Sequence, residues 1–422
     1  MKNFILKGTI CYSRSATELA VFEDSYAVCV DGVSRGVFAE IPEEFLHLPV
    51  LDYGEALIVP GLVDLHIHAP QYTFRGTGMD LELMDWLQQQ AFPEEARFAD
   101  RNYADRAYDI FAEQLRNSAT TRAVVFGTRH GNATEVLMEK LEKTGLISFV
   151  GKVNMDQNAP EPLVEAGAEA STEDTLLWLE RTAERCERTK PILTPRFIPS
   201  CSRPLLEALG RIKQERALPL QSHLSENHGE IAFVKSLFPE EPTYGHCYER
   251  FGLLGADTIM AHCVYSSEEE VALLKQRGVY VAHCPASNTN LASGIAPIRR
   301  YLQAGLKVGL GSDVAGGHTA SMFRAITDAV QVSKLYWRLV DNGSKPLTFT
   351  ESFYLATLGG GAFFGQVGSF EPGYEFDALV LDEGEMPCWH QPAPLKRLER
   401  CAYLEQGRHS LRAKFVAGRQ IF

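Results

Sequence analysis

No two of the chain's nine cysteines stand in CxxC spacing. An odd number of scattered thiols argues against a disulfide framework and for free thiols in a reducing compartment, so a cytoplasmic protein is expected. Basic excess is missing too. Lysine and arginine total 41 against 54 acidic residues, a formal net charge of −13, and no basic stripe breaks that balance. A nucleic-acid backbone is therefore not an expected partner. No apolar run approaches the roughly 20 residues a membrane helix needs, so no membrane partner is expected either. The opening "MKNFILKGTICYSRS" has its short apolar stretch broken by Lys7 and reads as a first strand, not a leader. The run Gly359 to Gly361 has no Lys-Ser/Thr after it, which excludes a Walker loop.

What is present is a rhythm. A chain of 422 residues suits one large barrel plus a smaller module. Both ends carry short alternating runs, such as "FILKGTICY" and "FDALVLDE", that read as antiparallel strands. They suggest one discontinuous module, a small β-sandwich built from residues 1–57 and 366–422. Between them, apolar strand-like runs recur at 57–67, 119–127, 146–155, 191–198, 218–224, 257–265, 278–285 and 306–313. Amphipathic stretches such as "EDTLLWLERTAERCER" (173–188), "PLLEALGRIKQER" (204–216) and "SEEEVALLKQRG" (267–278) lie among them. Repeated β-then-α units with continuous apolar strands predict an α/β protein, a closed (β/α)8 TIM barrel over 58–365. An open doubly wound sheet would normally carry a Gly-rich fingerprint after its first strand; "HIH" stands there instead.

In such a barrel, chemistry gathers at the C-terminal strand ends. His66 and His68 close the first run. Alternation along a strand puts both on one face, with Ile67 on the other. His223 and Glu226 follow the fifth run, His262 ends the sixth, His283 the seventh, and Asp313 the eighth. Surface or satisfied core histidines would not be expected to share that register. Three imidazole nitrogens, a carboxylate and an open position for water describe a catalytic zinc site, where bound metal makes hydroxide available near neutral pH. Glu226 is placed to carry protons. His262 can be a ligand or can orient the hydroxide from behind. Binuclear barrel hydrolases bridge two metals with a carbamylated lysine, usually on the fourth strand. That run carries Arg196 and no lysine, Lys190 precedes it, and Lys152 on the third reads as a buried or paired lysine. A single metal is expected.

The segments "PGLVDLHIHAPQY", "SHLSEN", "MAHC", "AHCPASN" and "GLGSDVAGG", in that order, resemble the amidohydrolase superfamily over essentially the whole chain. More narrowly, "HAPQYTFRGTGMDLELMDWL", "GKVNMD", "TPRFIPSCS" and "ATLGGG" look like the guanine deaminase family. The resemblance implies one zinc ion, with iron as the alternative metal, held by His66, His68, His223 and Asp313. It implies His262 near the hydroxide, Glu226 as proton shuttle, and Gln71, Arg196 and Phe197 around a purine that His68, Glu226 and Asp313 also face. The implied reaction is hydrolysis of guanine to xanthine and ammonia, in a homodimer. Physically, the Arg196 guanidinium can donate to acceptors on a purine edge, and Gln71 offers both a donor and an acceptor. Without the resemblance, Phe197 reads as core, Arg196 as a salt-bridged arginine, and Asn288 as either a turn residue or a support for the seventh-strand loop.

Other readings compete. His228-Gly229-Glu230 and Pro387-Cys388 echo the other zinc deaminase signature, but position 391 is Gln, so the second cysteine is missing. Within enzymes, the alternative is deamination or dechlorination of another N-heterocycle, such as 8-oxoguanine, a pterin or a triazine. A non-catalytic metal-binding scaffold would be expected to lose ligands, and here every ligand position is filled. A metal sensor would hold zinc without turnover.

Overall fold

The apolar run at 57–67 divides at Gly61. Strand Val50–Pro60 ends there and joins a sheet made by the chain ends, and Leu62–His68 begins a second set. A Cβ at Gly61 would lie 2.1 Å from Thr121 Oγ1, so glycine is what lets the Thr121 side chain pack against the chain at the break. The computed structural model describes residues 2–384, 392–404 and 411–422; Pro387, Cys388 and Gln391 of the discarded motif lie outside them.

The chain ends share one seven-stranded sheet. Val50–Pro60 is its hinge piece, pairing parallel with Phe4–Ser13 and antiparallel with Ala378–Leu381. Its apolar face gathers Phe4, Phe376 and Phe415, with ring centroids 5.5 and 5.0 Å from Phe4.

The middle of the chain is α/β with parallel sheets, and each of the expected apolar runs contains strand. Leu62–His68, Thr120–Phe126, Ile147–Gly151 and Thr189–Pro191 form one four-stranded sheet. Leu220–Leu224, Thr258–His262, Tyr280–His283 and Lys307–Leu310 form another. Backbone hydrogen bonds link the two on both sides. Leu193 N–H donates to Pro219 O (2.9 Å) and Gln221 N–H to Leu193 O (2.9 Å); across the other gap, Asp313 N–H donates to His66 O (2.8 Å) and His68 N–H to Val314 O (3.0 Å). Val63, Leu65, Val124, Ile192, Ile259, Ala261 and Ala282 from both sheets pack into one buried cluster.

Helices cover these sheets where amphipathic periodicity meets a cap. Ser202 caps Arg203–Arg216 through Leu205 N–H, with Pro204 in its first turn. Ser267 caps Glu268–Arg277, which opens on three glutamates and stops at Gly278 with φ +72°. The stretch expected at 173–188 is helical over Ala168–Thr182, starting earlier because Gly167, at φ +123°, turns the chain into it. Among the described residues no helix is long and apolar enough to cross a membrane.

Candidate active site

Asp64 fixes the entry to the site. Its Oδ1 accepts the backbone N–H groups of His66 (3.1 Å) and Ser312 (3.0 Å), and its Oδ2 accepts the Ser312 hydroxyl (2.5 Å). The first and last parallel strands are thereby tied side by side, which brings Asp313 against the first histidine pair. His66 and His68 put their Nε2 atoms 3.2 Å apart, and Asp313 Oδ1 lies 3.2 and 3.4 Å from them. Phe126 packs against both rings and against His223. The His223 ring stands 4.9 Å from that of His66, and its Nδ1–H donates to Arg196 O (2.6 Å). That hydrogen bond leaves the lone pair of His223 on Nε2.

Burial lowers the pKa values of His66, His68 and His223, so these imidazoles are neutral. Burial acts on Asp313 in the opposite sense, but the imidazoles around it outweigh burial and keep it a carboxylate. Potential ligand atoms of His66, His68 and His223 lie within 4.8 Å of one another, as do those of His66, His262 and Asp313. Buried lone pairs that converge in this way are costly unless a cation sits among them. This set of nitrogens and one carboxylate oxygen fits a divalent metal that takes N and O ligands.

Glu226 follows the fifth strand, beyond Ser225 at φ +49°. Its Oε1 accepts the Ser293 hydroxyl (2.8 Å) and its Oε2 lies 3.4 Å from His262 Nε2. Burial raises its pKa, which suits a group that must take up and release a proton. His262 stands between Glu226 and Asp313, and its Nδ1–H donates to Asn288 Oδ1 (2.8 Å). Asn288 thus touches the site through His262.

Gln71, Arg196 and Phe197 line the same cavity as His68, His223, Glu226, His262 and Asp313. Leu83, Trp86, Leu87 and Leu291 supply its apolar lining. The structure therefore brings together every site residue singled out in the sequence except His283, with His66 joined to the set through His68, His223 and Asp313. His283 falls on the wrong face. Tyr280, Ala282 and Cys284 point into the inner cluster and Val281 away from it, so alternation carries His283 outward with Val281. His228-Gly229-Glu230 opens helix His228–Leu237, where Asn227 and Glu230 form a capping box. Its histidine and glutamate spacing has that structural cause.

Three residues in contact with the site went unread in the sequence: Asp64, Ser293 and Glu95. Glu95 is 2% exposed and accepts hydrogen bonds from both Arg196 and Gln71. The only hint was the pair of acidic residues in "AFPEEARF", which reads as an ordinary helical surface.

The amidohydrolase family model matches residues 57–411. Guanine deaminase of Mus musculus is 43% identical over 394 residues, covering 90% of this chain and 86% of that one. Guanine deaminase of Dictyostelium discoideum is 41% identical over 338 residues, 79% and 74% of the two chains. The crystal structure of guanine deaminase from C. acetobutylicum, with guanine bound in its active site, superposes with a TM-score of 0.96 at 42% identity, covering all of both chains. The chain belongs to the amidohydrolase family. Within that family, the three relatives just described are guanine deaminases.

Proposed function

We propose that this chain is a metal-dependent hydrolase that converts guanine and water to xanthine and ammonia. The observation that carries the reading is one cavity lined both by the metal-ligand residues with Glu226 and by the Gln71–Arg196 donor pair. The similarity to guanine deaminases over most of the chain supports it. We read the frame as a (β/α)8 barrel over 58–365, supported by the hydrogen bonds that link the two parallel sheets on both sides. The chain ends would make the separate β module, folded as a small sandwich.

His66, His68, His223 and Asp313 would hold one divalent ion, zinc in this reading. Bound there, such an ion supplies acidity to a water, bringing its pKa to about 7. The remaining work belongs to side chains. Arg196 keeps N–H donors beyond those given to Glu95, and Gln71 keeps one amide N–H; together they can meet the O6 and N7 acceptors of a purine. Phe197 and Trp86 would flank the ring. Glu226, held by Ser293, takes a proton from the attacking water and delivers it to N3 as C2 becomes tetrahedral. It then takes the remaining proton from the C2 hydroxyl and passes it to the amine, which leaves as ammonia while the C2 oxygen becomes the carbonyl of xanthine. His262, fixed by Asn288, presents Nε2 beside both carboxylates and can hydrogen-bond the entering oxygen. Buried thiols with raised pKa values suit a reducing cytoplasm, and a homodimer completes the proposal.

A substrate panel tests this reading. Guanine should be turned over far faster than 8-oxoguanine, a pterin, adenine or a triazine, with xanthine appearing by absorbance. Preference for another ring would keep the hydrolase and reject guanine as its substrate.

A further inference from the structure

We infer that Glu95 is the positioning residue that sets the specificity of this pocket for a 6-oxo over a 6-amino purine; this rests on the guanine reading above. Glu95 lies in Phe92–Ala96, entered through a π-helical turn at Leu87–Ala91. Its Oε2 accepts from Arg196 Nη1 (2.6 Å), and its Oε1 accepts from Arg196 Nη2 (3.1 Å) and Gln71 Nε2 (2.7 Å). One carboxylate therefore orients both polar residues of the purine wall. The three residues are 2–4% exposed, so their geometry is not averaged by water. Phe92 from the same segment lies under the guanidinium, 5.0 Å from its carbon, and blocks rotation out of plane.

The consequence for Gln71 is directional. Its Nε2 is drawn to Glu95, and its Oε1 accepts Ala315 N–H (3.0 Å). The amide cannot flip without losing both hydrogen bonds and setting Oε1 against the carboxylate. With that orientation locked, Gln71 and Arg196 offer the ring only N–H donors. A carbonyl at C6 is accepted; an amino group there would face donors with a donor. A site built to pair with one group rejects an analogue that leaves its buried polar atoms unpaired, by as much as about 10⁴. Glu95 touches neither the ring nor the reacting atoms and acts through Arg196 and Gln71.

Glu95→Gln tests this, with guanine and 2,6-diaminopurine as the substrate pair. The two share the reactive 2-amino group and differ at C6 and in the N1 proton that accompanies the 6-oxo group. The variant keeps the shape of the side chain and loses the charge and the paired acceptors. Expected are a rise in KM for guanine of at least about tenfold, kcat within about threefold, and full metal content. The ratio of kcat/KM for guanine to that for 2,6-diaminopurine should fall by a similar factor. Glu95→Asp, which keeps the charge but withdraws it by one methylene, should move the same ratio less. It serves as the second variant if Glu95→Gln does not fold. An unchanged ratio in whichever variant folds overturns the inference, as does a loss of kcat and metal together, which marks a purely structural residue. A wild-type chain inactive on guanine would instead reject the reading beneath it.

Discussion

Replacing Asp377 with alanine should destabilise the chain by about 4 kcal/mol without touching the chemistry. Arg122 enters from strand Thr120–Phe126 and is 2% exposed; Asp377 is 1% exposed. The pair is bidentate, with Nε to Oδ2 at 2.6 Å and Nη2 to Oδ1 at 3.1 Å. Removing one partner of a buried ion pair costs about 3–5 kcal/mol, because the other charge is left without compensation. Glu375, 2.8 Å from Arg122 Nη2 but partly solvated, holds the cost near the lower end of that range. Asp377 Oδ1 also accepts Ala417 N–H (2.7 Å), which adds about 1 kcal/mol. These contacts join the chain-end sheet to the start of the second parallel strand, whereas its last residue, Phe126, packs on the site histidines. Equilibrium urea unfolding followed by tryptophan fluorescence should show the loss, and kcat of the folded variant should equal wild type. A double-mutant cycle with Arg122→Met isolates the pair, and the double variant should recover most of the stability. A loss below about 1 kcal/mol for Asp377→Ala, or no coupling in the cycle, would refute this reasoning.

The remaining predictions concern the site. Asp313→Asn should lose both bound metal and turnover, whereas Glu226→Gln should lose turnover and retain metal; plasma emission spectroscopy beside an ammonia assay separates them. Ser293→Ala frees Glu226 from its hydroxyl partner and should lower kcat about tenfold with KM and metal unchanged. Burial and the nearby Glu226 push the Glu230 carboxyl up to about 7 from an ordinary 4.5. The folded chain then holds a proton the unfolded chain releases, so this group's stabilising share is full below pH 4.5 and is lost as pH rises to about 7. Glu230→Gln should flatten that slope in thermal unfolding scans across the same window.

Sequence legibility followed the range of the interactions involved. His66, His68, His223 and Asp313 could be read because each falls at the end of an apolar run, and the regular β-then-α alternation fixes which ends converge. His283 shares that sequence position but not the face, since one residue of register reverses a strand's side chains. The run at 57–67 reads as one strand because apolarity is continuous across Gly61; the close packing there involves Thr121, which lies on a different strand. Glu95 could not be read at all. Its carboxylate meets Arg196 across 101 positions, and without that pairing an acidic residue in a short helix is indistinguishable from a solvated one. The chain-end module was suggested by texture alone, whereas its strand order rests on the long-range pairing of Val50–Pro60 with Ala378–Leu381.

The most direct test of the site as described is the stoichiometry of the reaction in protein of measured metal content. Purified chain holding about one divalent ion should release one ammonia and one xanthine for each guanine consumed. Activity should fall in proportion as a chelator withdraws the ion, and return when zinc is restored. Metal-replete protein that leaves guanine untouched, or turnover indifferent to metal removal, would contradict it.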